Sequence, residues 1–154
     1  MTHILMLCLG NICRSPAAEA ITRQRAAACG VSVTLDSAGT GNWHVGEAPY
    51  GAMQRAALAR GYDLSDLRAR QITVADFSRF DLILAMDREN LATARALCPP
   101  NAKAKLRLFL DRLPEGNMKT DTQEVPDPYF TRDFEGCLTL IERGAEALLA
   151  TLPR

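Results

Sequence analysis

The chain has 154 residues, 47% of them hydrophobic, with 18 lysines and arginines balanced by 18 aspartates and glutamates. Its length suits one ordinary domain with a substantial core, and its composition excludes a disordered chain. Zero net charge excludes an overall field drawing it to nucleic acid or an anionic membrane, so any bound anion must be held by local geometry.

The N-terminus lacks the basic region and cleavage site of a signal peptide, and its apolar run is far too short to span a bilayer. Five cysteines, an odd number without regular spacing, speak against a secreted disulfide framework and for a reduced, cytoplasmic protein. No repeat, low-complexity tract or linker interrupts the chain, so one domain over residues 1–154 is expected.

HILMLCL (3–9) is a continuous apolar run and predicts a strand buried on both faces. Ser15 then suits an N-cap and Pro16 the first helical position, with an alanine-rich helix to about Cys29. VSVTLDS (31–37) alternates like a strand, a glycine-rich loop AGTGNWHVGEAP follows, and YGAMQRAALARG reads as a helix closed by Gly61. A short helix over VADFSRF precedes DLILAM (81–86), another buried strand. Asp87 caps a helix running to Cys98, where Pro99 and Pro100 stop it, and KLRLFL (105–110) is a further strand. Residues 111–129 carry three prolines and read mostly as loop. Phe134, Cys137, Leu138, Ile141, Ala145, Leu148, Leu149 and Leu152 recur at three- and four-residue steps, which marks the last helix. Strands alternating with helices imply a parallel sheet covered on both sides, with ligands beyond the carboxyl ends of its strands. Cys8 stands at such an end.

The stretch CLGNICRSP, Cys8 to Pro16, carries chemistry. A thiolate is the reactive form of cysteine, and its pKa falls from about 8.5 to roughly 3.5–7.5 at a helix N-terminus beside a cation. The segment Leu9, Gly10, Asn11, Ile12, Cys13, Arg14 and Ser15 can turn consecutive N–H groups toward one point, a nest backed by the helix dipole. Gly10 permits positive φ, and Asn11 is the next most tolerant residue. Arg14 adds a planar fork matched to the oxygens of phosphate, and the Ser15 hydroxyl can donate to the sulfur. The sum is a phosphate cradle with a nucleophile at its floor; the bland alternative for Cys8 is a small buried hydrophobe. In EVPDPY, Asp127 stands between two prolines that stiffen the backbone. It is either a turn residue or a carboxylic acid able to protonate a leaving oxygen.

CLGNICRSP resembles the signature loop of the low-molecular-weight protein tyrosine phosphatases. DSAGTGNW (36–43), ARQIT (69–73), FDLILAMDRENL (80–91) and PDPYF (126–130) fall in that family's order and spacing over nearly the whole chain. The resemblance implies an α/β, three-layer flavodoxin-like fold with a four-stranded parallel sheet flanked by helices, and no metal or other cofactor. It implies hydrolysis of phosphotyrosine and small aryl phosphates through a phosphocysteine, with Cys8 as nucleophile, Arg14 as phosphate ligand and Asp127 as general acid. Trp43 and Tyr129 become pocket walls, Leu9 and Ile12 its rim, and Cys13 a redox partner that resolves oxidised Cys8. Asn11, Ser37 and Glu19 match positions that support the loop. Leu67 stands where many relatives have histidine, so that polar network must be rearranged. Partners are then phosphotyrosine-containing proteins, with a cognate tyrosine kinase as a further one, and neither nucleic acid nor membrane.

Sibling activities fit less well. The related arginine phosphatases carry threonine where this chain has Ile12, and related arsenate reductases need two cysteines near residues 80–90 that it lacks. A phosphocarrier would protect its phosphocysteine from water, against which Arg14 and Asp127 count. A phosphotyrosine-binding module would lack the nucleophile or the acid. His3 and His44 receive no catalytic role, and Cys29, Cys98 and Cys137 read as structural.

Overall fold

The computed structural model describes residues 1–113 and 123–153. Residues 114–122 of the expected 111–129 loop therefore lie outside the described residues. The elements run β1 (Thr2–Cys8), α1 (Arg14–Cys29), β2 (Val33–Gly39), α2 (Gly51–Ala59), α3 (Asp76–Arg79), β3 (Leu82–Ala85), α4 (Arg88–Leu97), β4 (Lys105–Leu108), α5 (Pro128–Thr131) and α6 (Phe134–Ala150). The four strands form one parallel sheet in the order β2-β1-β3-β4. That order is flavodoxin-like and reverses direction between β1 and β3, where open α/β sheets bind ligands.

The alternation of side chains along β1 explains the three layers. Ile4 and Met6 pack with Leu82 and Leu84 of β3 against apolar residues of α1, α2 and α6 on one face. Leu5 and Leu7 point the other way, with Ile83 and Ala85, toward Phe77 of α3 and Leu91 and Ala94 of α4. The sheet is covered on both sides, so its central strands read as unbroken apolar runs. Among the described residues no helix is long and apolar enough to cross a membrane.

Three boundaries near the site depart from the sequence reading. Helix α1 begins at Arg14 with Cys13 at the N-cap, so Ser15 and Pro16 are its second and third residues rather than cap and first. Their place in the first turn still suits proline, whose missing N–H would have no intrahelical acceptor. Strand β2 continues past Ser37 to Gly39, because its whole length pairs with β1 and Gly39 sits beside Cys8. The loop expected to run through Tyr129 ends in the short helix α5, capped by Asp127.

Candidate active site

Strand β1 delivers Cys8 to the switch point, and the chain then wraps back over its sulfur. The N–H of Asn11 donates to Cys8 Sγ at 3.3 Å, and Ser15 Oγ lies 3.0 Å from the same sulfur. Positive φ falls on Asn11 (57°), while Gly10 keeps an ordinary backbone, so the expectation for Gly10 is corrected. Asn11 occupies the left-handed region at an energetic cost that its side-chain bonds offset. Its amide nitrogen donates to Ser15 Oγ (2.8 Å) and Ser37 Oγ (3.0 Å), and its Oδ1 accepts from the Arg70 N–H at 2.9 Å. Ser37 donates in turn to the buried Glu19 carboxylate at 2.6 Å. Leu67, where the resemblance led to the expectation of a rearranged polar network, packs against the core, and the bonds among Asn11, Ser15, Ser37 and Glu19 form without it.

A second loop buttresses the first. Thr40 and Gly41 donate their N–H groups to the carbonyls of Cys8 and Leu9, each at 2.9 Å. A Cβ on Gly39 would come within 2.7 Å of the Leu9 carbonyl oxygen, so only glycine allows this approach. Among the described residues, the N–H groups of Gly10, Ile12 and Cys13 have no protein acceptor. They are the donors a tetrahedral oxyanion would use.

Arg14 is 2% exposed, and its guanidinium turns back to the end of the sheet. Nη1 donates to Asp87 Oδ2 at 2.6 Å and to the Val125 carbonyl at 2.9 Å, and Nη2 to Asp127 Oδ2 at 3.3 Å. Burial opposes the charge on Arg14, yet Cys8, Asp127 and Asp87 outweigh it and raise its pKa above the usual arginine value. Asp87 also caps α4 by accepting the Asn90 N–H. Asp127 is placed by Val125, whose N–H bonds to the Met86 carbonyl at 2.9 Å, and by its own Oδ1, which accepts the Tyr129 N–H at 3.0 Å.

These groups surround a cavity of about 250 Å³. Cys8, Cys13 and Arg14 form its floor, with Leu9, Ile12, Trp43, Tyr129 and Asp127 around it. All the residues singled out in the sequence for phosphate, walls and acid thus converge, apart from Asn11 and Ser15, which bond to the sulfur from behind the lining. Cys13 is a buried thiol whose pKa is pushed up to about 12, first by burial and then by the neighbouring Cys8 and Asp127.

Sequence reasoning missed three members. His44 lines the cavity, its Nδ1 2.5 Å from Glu47 Oε2, and Phe130 lines it beyond Tyr129. Asp87 was read only as a cap, although its place at the end of a central strand could have marked it as a site residue. Among the described residues, no cluster of three or more histidine, cysteine, aspartate or glutamate side chains could hold a metal ion.

A sulfur under a cup of N–H groups, with a buried guanidinium and a carboxyl on one side, is the site of an enzyme that acts on phosphate esters at the switch point of a parallel sheet. Comparison with known proteins gives the class a name. The family model for low molecular weight phosphotyrosine protein phosphatases matches residues 3–154. Low molecular weight protein-tyrosine-phosphatase YfkJ of Bacillus subtilis is 39% identical over 156 residues, spanning 100% of this chain and 97% of the relative. A protein tyrosine phosphatase structure from Entamoeba histolytica superposes with a TM-score of 0.88 at 33% identity, covering 97% of this chain and 96% of the other. The Drosophila arginine phosphatase DARP superposes with a TM-score of 0.87 at 30% identity, covering 97% and 96%. The chain belongs to the low molecular weight phosphotyrosine protein phosphatase family, and it is a phosphatase.

Proposed function

We propose that the protein hydrolyses phosphotyrosine in proteins, and small aryl phosphates, through a phosphocysteine on Cys8. The observation that carries this reading is the cavity with the Cys8 sulfur at its floor and the Asp127 carboxyl at its side, joined through Arg14. The N–H groups of the loop from Leu9 to Ser15 and the Arg14 guanidinium hold the three equatorial oxygens of the phosphoryl group. The Cys8 thiolate attacks phosphorus in line, the P–O bond breaks, and Asp127 gives its proton to the departing phenolic oxygen. Asp127, now ionised, takes a proton from water as that water attacks the phosphocysteine; inorganic phosphate leaves and Cys8 is regenerated as the thiolate.

The apolar walls support an aryl substrate. Ile12, 6% exposed at the rim, brings no hydroxyl to bond a guanidino group, which favours phosphotyrosine over phosphoarginine. Trp43 folds back onto the chain so closely that a Cβ on Gly41 would lie 1.9 Å from its ring, and it lines the cavity together with Tyr129. Cys13 answers oxidation: when peroxide converts Cys8 to a sulfenic acid, the Cys13 sulfur displaces water and a disulfide forms, which a thiol reductant reopens. Five free cysteines support a cytoplasmic location, and phosphotyrosine substrates would be supplied by a tyrosine kinase. The reading takes residues 1–154 as one phosphatase domain.

Steady-state hydrolysis of an aryl phosphate by wild type and Cys8→Ser tests the assignment. Wild type releases phenol and phosphate together and Cys8→Ser releases neither. Wild-type turnover in a folded Cys8→Ser variant would overturn it.

A further inference from the structure

Arg70 is gripped from two sides. Its Nε and Nη2 donate to Asp36 Oδ2 at 3.2 and 3.0 Å, and Nη1 and Nη2 donate to the two oxygens of Asp76, both at 3.0 Å. Asp36 lies on β2, whereas Asp76 opens α3 and is fully buried. Asp76 also accepts the Thr73 N–H at 2.8 Å, so the short segment between Arg70 and α3 is tied into a closed turn. A planar fork bridging carboxylates on two different elements fixes not only the guanidinium but the backbone it hangs from.

That backbone makes two bonds into the site. The Arg70 N–H donates to Asn11 Oδ1 at 2.9 Å, and its carbonyl accepts the Gly39 N–H at 2.8 Å. The Ile72 N–H then donates to the Gly39 carbonyl at 2.9 Å. Both partner residues sit at tight points of the backbone. Asn11 holds the positive φ that points its N–H at the Cys8 sulfur, and Gly39 lies against the Leu9 carbonyl. Loss of the Arg70 contact would leave the Asn11 Oδ1 without its donor and remove the bond that offsets the cost of its conformation.

We propose that Arg70, clamped between Asp36 and Asp76, is a positioning residue of the catalytic loop, acting through its own N–H on Asn11 to aim the loop's donors at the phosphoryl group. The role rests on the phosphatase reading of the Cys8 loop. Arg70 does not touch the cavity, so its effect is indirect and falls on how well an oxyanion is held.

The test is the affinity for inorganic phosphate, with kcat and KM for an aryl phosphate, at a temperature where circular dichroism shows each variant folded. Arg70→Met is expected to weaken phosphate binding and lower kcat/KM about tenfold, in line with the cost of misplacing catalytic groups by a fraction of an ångström. Arg70→Lys does not rescue it, because one ammonium cannot bridge two carboxylates with a planar fork. Asp36→Asn, at a half-exposed position and with the Asp76 pair intact, gives about a threefold effect in the same direction and serves if Arg70→Met fails to fold. Asn11→Ala and Arg70→Met combined weaken phosphate binding no more than the stronger single variant, because both act through one contact.

Folded variants that bind phosphate like wild type and lose only thermal stability would overturn the positioning role, as would additive losses in the double variant. A wild type that bound no phosphate would overturn the cradle and the positioning role together.

Discussion

Arg14 and Asp127 face each other 3.3 Å apart, Nη2 to Oδ2, while the other arm of the guanidinium is committed to Asp87 at 2.6 Å. The proposed acid and the proposed phosphate ligand are thus each other's partners in the free protein. A phosphoryl dianion must take Nη2 from Asp127, which frees that carboxyl to face the leaving oxygen.

Asp127→Asn is therefore expected to split binding from turnover. The rate falls by about 10²–10⁴ for phosphotyrosine, the range typical of a lost general acid. The loss is smaller for a nitrophenyl ester, whose leaving group needs less help. Affinity for inorganic phosphate rises, because Arg14 no longer shares its charge with a carboxylate. Kinetics on the two esters and a phosphate titration check this; weaker phosphate binding would contradict it.

Asp87 has two duties that substitution can separate. Asparagine caps a helix as well as aspartate but brings no charge, so Asp87→Asn keeps the bond to the Asn90 N–H and weakens only the hold on Arg14. Asp87→Ala loses both. Both variants lower kcat/KM, and the alanine variant is less stable than the asparagine one by about 1 kcal/mol. Denaturant unfolding of the pair measures the difference.

Cys13 predicts an alkaline signature. Its thiol keeps its proton in the fold up to about 12, whereas in the unfolded chain a cysteine ionises near pH ~8.5. Between those values the native state binds one more proton than the unfolded state, so stability falls as pH rises through the window. Burial raises the Cys137 thiol in the same sense. Cys13→Ala flattens the decline in part and Cys13→Ala with Cys137→Ala flattens it further, as read by unfolding midpoints between pH 8 and 10. At pH 7 iodoacetamide mapping finds the label on Cys8 and none on Cys13. Brief peroxide treatment followed by a thiol restores wild type but not Cys13→Ala.

Asp76 predicts the acid side. Burial raises its pKa, but hydrogen bonds from the Arg70 guanidinium and the Thr73 N–H win and hold it below the usual carboxylate value. A depressed native pKa contributes stability above the unfolded value near pH ~4, and that contribution disappears as pH falls through the native value. Asp76→Asn breaks a buried pair, costs on the order of 3 kcal/mol at pH 7, and unfolds with a weaker dependence on acid than wild type. Urea midpoints from pH 3 to 7 follow both effects.

How much of this was legible in the sequence depended on whether the signal was local. The strands β1 and β3 are continuous apolar runs, and α6 repeats leucine and isoleucine at helical spacing, so their types and the parallel sheet could be read directly. The cradle was also legible, because Cys8, Asn11, Arg14 and Ser15 share one loop. The start of α1 was misplaced because Ser-Pro is a strong local opening signal, while closure of the loop around the sulfur draws Cys13 to the cap and Arg14 into the first turn. Positive φ fell on Asn11 rather than Gly10, since the Asn11 side chain bonds to Ser15, Ser37 and Arg70 in that conformation. Arg70 and His44 were silent for one reason. The carboxylates that grip Arg70 lie on other elements and His44 meets the Tyr129 ring of α5 across the cavity, and nothing in ARQ or NWH shows what the fold will bring near.

The sulfur and the acid ride on very different supports. Strand β1 is the interior strand that β2 flanks along its full length and β3 along Ile4–Leu7, while Asp127 heads a helix of four residues. Amides of the former exchange with heavy water only through global opening, whereas the latter can breathe alone. Gentle warming should thus silence turnover while the sulfur is still held, with the acid wandering before the nucleophile loses its place.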